Sequence, residues 1–103
     1  MTSLPILTAA DEAYWRCLWQ FFRSAERMGF ASRTRIVAYD LGLEEATVER
    51  LRKRFPWVSF RRFDFSRYPP HIALASRTYA WKPMAIAEAM EEFGGGLLWL
   101  DSA

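Results

Sequence analysis

Residues 78–103 read TYAWKPMAIAEAMEEFGGGLLWLDSA, a helical pattern followed by a triple glycine, an apolar run and an acidic residue. Leu97, Leu98, Trp99 and Leu100 form a continuous apolar stretch, as parallel strands do when helices cover both of their faces. Asp101 follows without a spacer, so its carboxylate is expected where a buried strand emerges into solvent. In open α/β sheets that edge is where ligands bind. The preceding helix is read from spacing: Ile86, Ala87, Met90 and Phe93 recur at helical intervals, while Glu88, Glu91 and Glu92 fall on other faces. Gly94 supplies the stop. Pro83 has no amide hydrogen and restricts Lys82, so the helix is expected to begin near Pro83, with residues 79–82 as a lead-in turn. Lys82 then stands beside a helix N-terminus, whose unpaired N–H groups and positive dipole attract anions.

The upstream chain supplies the partners this strand needs. Residues 4–9 are short, apolar and end in small side chains, as a central strand should where a ligand must come close. Asp11 is placed to cap the next helix, in which Tyr14, Leu18, Phe21, Ala25 and Met28 form one apolar row, widened by Trp15, Trp19 and Phe22. A face that broad exceeds what one sheet surface covers, so further protein, or a second copy, is expected over it. Residues 35–39 make a second strand, closed by Asp40 and Gly42. The helix after it carries Glu44 and Glu45 in its first turn, Arg52, Lys53 and Arg54 in its last, and Val48, Leu51 and Phe55 as its buried stripe. Pro56 breaks it, and residues 58–65 resume as an edge strand interrupted by Arg61 and Arg62. Residues 66–77 form a long connection without periodicity. Strands alternating with helices imply an α/β fold with a mainly parallel four-stranded sheet. The expected strand order is 3-2-1-4. The switch point then falls between Ala9 and Asp101, making AADEAY (9–14) and LDSA (100–103) the walls of one crevice.

Composition narrows the function classes. A chain of 103 residues, 51% hydrophobic and 17% aromatic, forms one domain over residues 1–103. By size scaling it buries about two-thirds of its unfolded surface. The net charge of +2 is small and its basic run at residues 50–54 is explained as a solvated helix end, so charge gives no footprint for nucleic acid. A single cysteine, Cys17, forms no internal disulfide and no zinc cluster. Residues 1–5 lack the pattern of a signal peptide and no run is long enough to span a bilayer. The expectation is a soluble cytoplasmic protein.

Taken together, the first strand running into TAADEAY, the helix with FFRSAER, the strand RIVAYDLGL, the helix carrying Lys82 and the strand ending at Asp101 resemble the N-terminal nucleotide-binding half of a GT-A glycosyltransferase, in particular the glycogenin-like, sugar-nucleotide-dependent group. The resemblance spans nearly the whole chain and rests on order and spacing. It implies a Rossmann-like sheet, with helices on both faces, that binds a nucleoside diphosphate sugar, a UDP-sugar foremost. By resemblance Ala9, Ala10 and Asp11 border the uracil and ribose, Tyr14 stacks on the base, Lys82 approaches the diphosphate, and Asp101 holds ribose or a divalent Mn2+ or Mg2+ ion. The family pattern at this point is Asp-any-Asp, whereas here Asp101 is followed by Ser102 and Ala103, which removes a carboxylate from any metal site. The chain is expected to be a truncated, inactive enzyme, since the acceptor wall and a later metal-binding histidine come from sequence beyond this point in that group.

Each residue also has a purely structural reading: Asp101 as a cap, Tyr14 and Trp81 as core aromatics, Lys82 as a surface lysine. Cys17 and His71 show no nucleophile–base spacing and read as structural. A different nucleotide binder is a weaker alternative, because neither G-x-G-x-x-G nor G-x-x-x-x-G-K-[ST] follows the first strand. A non-enzymatic interaction module is a third reading, carried by the aromatic first helix.

Overall fold

The computed structural model of the protein describes residues 4–69, 72 and 81–102. Its strands are β1 (Ile6–Ala10), β2 (Ile36–Asp40), β3 (Val58–Arg62) and β4 (Leu98–Trp99), and its helices are α1 (Trp15–Arg27), the short α2 (Phe30–Arg33), α3 (Glu45–Arg54) and α4 (Trp81–Phe93). All strand pairs are parallel, in the order β3-β2-β1-β4. That is the expected order. β1 is central, in register with β2 from Ile6↔Ile36 to Ala10↔Asp40, and with β4 only through Ile6↔Leu98 and Leu7↔Trp99.

Strand alternation sends successive residues to opposite faces, and each face has its own core. Ile6, Ala10, Ile36, Ala38 and Phe60 pack with Leu18, Phe22 and Ala25 of α1 and Leu51 of α3. Leu7, Val37 and Tyr39 pack with Trp81, Ala85 and Ala89 of α4. Ion pairs at the surface join the two helices of one face, Arg54 of α3 to Glu26 of α1 at 2.9 Å, and the sheet to the helix on the other, Arg61 of β3 to Glu92 of α4 at 2.7 Å. Tyr68, stacked on Phe63 at 5.3 Å, donates its hydroxyl to Glu88 and so fastens the segment after β3 to α4.

Two helix faces differ from the spacing-based expectation. In α1 the buried row is Leu18, Phe22 and Ala25, whereas Tyr14 and Met28 are 54% and 63% exposed. The reason lies at the ends. Residues Glu12–Tyr14 form a separate 3-10 turn, so Tyr14 is out of phase with α1, and Met28 is already the C-cap before the left-handed Gly29. Asp11 makes no side-chain cap; the turn closes instead through the Tyr14 amide donating to the Asp11 carbonyl at 3.1 Å. In α4 the described helix runs Trp81–Phe93, so Trp81 and Lys82 are already helical and Pro83 lies within the element instead of opening it. The buried stripe also differs: Trp81, Ala85 and Ala89 are buried, Met84, Ile86 and Phe93 flank them, and Ala87 and Met90 face solvent. Alanines at this contact let the helix lie close to the large side chains of Leu7, Val37 and Tyr39.

β4 also departs from expectation. Its apolar run is not covered on both faces: Leu97 and Trp99 pack toward α4, while Leu98 and Leu100 are 49% and 43% exposed. Its position explains this. β4 is the sheet edge, and α1 and α3 lie over β1, β2 and β3 instead. Strand β3 ends at Arg62, short of residue 65, because Asp64 caps a second 3-10 turn, Phe65–Arg67, through the Ser66 amide. Of the long connection, residues 66–69 and 72 are described; His71, Tyr79 and Ala103 lie outside the described residues.

Candidate functional site

The carboxyl ends of β1 and β4 meet at the switch point, and side chains of α4 and of the β4 exit close there on each other and on the β1 backbone. The Lys82 ammonium lies 3.3 Å from Asp101 Oδ1, and the Trp99 indole N–H donates to the same oxygen at 2.8 Å. Ser102 Oγ donates to the Ala9 carbonyl at 3.3 Å, and the Leu100 amide to the Leu7 carbonyl at 2.9 Å, fixing the exit of β4 along β1. Lys82 also stands over the Trp99 ring, 5.3 Å from its centroid, and Trp99 leans on the buried Trp81 at 5.9 Å. The Trp99 hydrogen bond, seconded by that from Lys82, holds the Asp101 carboxyl below its ordinary value of 3.8. The carboxylate thus stays ionised while 63% exposed.

The first wall is the turn after β1. Ala9 is half-buried and its carbonyl receives Ser102, whereas Ala10 is buried in the α1–α3 core and its carbonyl accepts the Leu41 amide at 3.0 Å. The Ala10 side chain and carbonyl are thus engaged within the fold. Asp11 Oδ1 is buried with no hydrogen-bond partner among the described residues. Tyr14 is exposed, which removes its reading as a core aromatic and leaves its ring free; Trp81 is core. Glu12, between them, is committed elsewhere: its carboxylate accepts from the Glu44 amide and the Thr47 hydroxyl, both at 2.9 Å, and so caps α3.

A family described as "Protein of unknown function (DUF1647)" matches residues 4–87. The chain belongs to the DUF1647 family. The match runs from the residues before β1 into α4, so it includes Ala9, Asp11, Tyr14 and Lys82 and stops short of β4 and Asp101. No curated protein and no solved structure matches the chain. No helix among the described residues is long and apolar enough to cross a membrane.

In this DUF1647 chain the structure joins Lys82 to Asp101, and the segment after Asp101 to Ala9. Asp11 and Tyr14 sit on the adjoining turn. Trp99, expected within a buried run, stands instead at the site beside Asp101 and Lys82. Its signal was present: residues two apart on a strand share a face, so Trp99 and Asp101 had to emerge together.

Proposed function

We propose that the crevice between the ends of β1 and β4 binds a nucleoside diphosphate sugar, a uridine diphosphate species foremost, as the nucleotide-binding half of a GT-A glycosyltransferase would. The observation that carries this reading is the 3.3 Å approach of Lys82 to Asp101 at the switch point, which pairs a cation for the diphosphate with an acceptor for ribose hydroxyls. Asp11 Oδ1, buried and unpartnered on the turn that follows β1, supports the reading as a second acceptor for base or ribose. The exposed ring of Tyr14 is available to stack on the base. The Lys82–Asp101 pair is an exposed contact between two side chains, so an incoming diphosphate can draw Lys82 away at small cost. Trp99 then keeps Asp101 oriented and ionised.

The residues do not suit a divalent ion as they stand. Asp101 is one carboxylate with an ammonium already at 3.3 Å, and among the described residues no three His, Cys, Asp or Glu side chains converge. In this reading Lys82 neutralises the diphosphate, and no step is routed through Mn2+ or Mg2+. Titration calorimetry tests the proposal: uridine diphosphate should release more heat and bind more tightly than inorganic phosphate, and Lys82→Ala should erase the difference contributed by the diphosphate. Equal heats for uridine diphosphate and phosphate on the folded protein would sink it.

A further inference from the structure

We infer that the groove between α1 and α3 is a docking surface for an acidic amphipathic helix of a partner protein. The groove has a volume of about 520 Å³ where Trp15, Arg16, Trp19 and Arg50 line it, and continues into a neighbouring hollow of about 480 Å³ past Glu49 and Lys53. Its floor is aromatic. Trp15 and Trp19 meet edge to face at 6.4 Å, Trp19 is anchored on buried Phe55 at 5.2 Å, and both indoles remain only partly buried. Such rings, large, rigid and half-sunk in a core, are the usual anchors of protein interfaces, together with arginine.

Charge selects the occupant. Arg54 is neutralised by Glu26, but among the described residues no carboxylate lies within 4.0 Å of Arg16, Arg50 or Lys53. Arg16 instead lies over the Trp15 ring, 5.0 Å from its centroid. Three unpaired cations flanking an apolar floor complement a helix with apolar side chains on one stripe and carboxylates beside it. A second copy of this chain fits less well, since the same face turned on itself would bring Arg16, Arg50 and Lys53 against their own like charges. A nucleic acid fits less well because Glu49 stands in the same wall and would face a continuous run of phosphates. This surface is separate from the crevice, and the inference does not depend on a nucleotide binding there.

The test uses a fluorescent peptide of about 18 residues, long enough to hold a helix alone, with leucines at helical spacing and glutamates on the flanks. Its control carries the same leucines with lysines for glutamates; an oligothymidine and sedimentation of the free protein complete the set. The glutamate peptide should bind, and Trp19→Ala should weaken it. Because Trp19 touches the core, the deciding variant is Arg50→Glu with Lys53→Glu, both exposed, which should keep the circular-dichroism spectrum and weaken binding by about tenfold or more. Absence of binding overturns the inference. So do equal affinity for the lysine peptide, unchanged affinity in the double variant, tighter binding of oligothymidine, or a free protein that is already a dimer closed over Trp19.

Discussion

Two carboxylates end two strands of the same sheet, and they lead opposite lives. Asp40, at the end of β2, is buried, and its Oδ1 accepts the amides of Gly42 at 2.8 Å and Leu43 at 2.6 Å. Asp101, beyond β4, is open to solvent, and among the described residues its carboxylate pairs with the side chains of Lys82 and Trp99. Backbone amides cannot leave, whereas a lysine can swing aside. The first carboxylate is therefore committed to folding the β2–α3 turn, and the second is free to exchange its partner for a ligand. Position at a strand end does not separate them; the kind of donor does.

The comparison is tested most severely at Asp40. Asp40→Ala strands two amides, one of them buried, and should lower stability by about 3 kcal/mol in urea unfolding. A loss under about 1 kcal/mol would mean the turn is held by something else. Next in size is the ligand side of the contrast. Tyr14→Ala should weaken uridine diphosphate by about 1 to 2 kcal/mol in calorimetry if the ring stacks on the base. Its unfolding midpoint should scarcely move, because the side chain is exposed. Smaller still, Asp101→Asn should change stability by no more than about 0.5 kcal/mol, as for other exposed pairs. A destabilisation like that of Asp40→Ala would erase the distinction between the two carboxylates.

The smallest effect is a titration. Since the native state holds Asp101 below its ordinary 3.8, the ionised, paired form is favoured above that pH, and its contribution is lost as pH falls through the lower native value. Trp99 fluorescence should report a step with a midpoint under 3.8 while the protein remains folded by circular dichroism, and Asp101→Asn should abolish the step. A midpoint above 3.8 would show that neither Trp99 nor Lys82 holds the carboxylate in solution.

The layout of the sheet was legible because it rests on coarse signals: short apolar runs, helical periods between them, and a central strand ending in alanines. The α3 stripe was legible for the same reason, with Leu51 and Phe55 both fully buried. Helix phase was harder. In α1 aromatic residues occur on too many sides for size to reveal the buried row, and in α4 the contact is made by Ala85 and Ala89, which carry little hydrophobic signal. Topology alone places Lys82 and Asp101 around one switch point, but the commitment of Glu12 to α3 spans 32 residues of sequence and leaves no local mark.

That same Glu12 has a mechanical consequence. It sits one residue after Asp11 and two before Tyr14, and its two oxygens grip the start of α3. A ligand that displaces this turn must either break both bonds or drag the first turn of α3 along. A partner seated against α3 pulls on the turn through the same strut. To the extent that the strut transmits, each occupant alters the affinity of the other by one shared factor, because coupling between two binding equilibria is reciprocal.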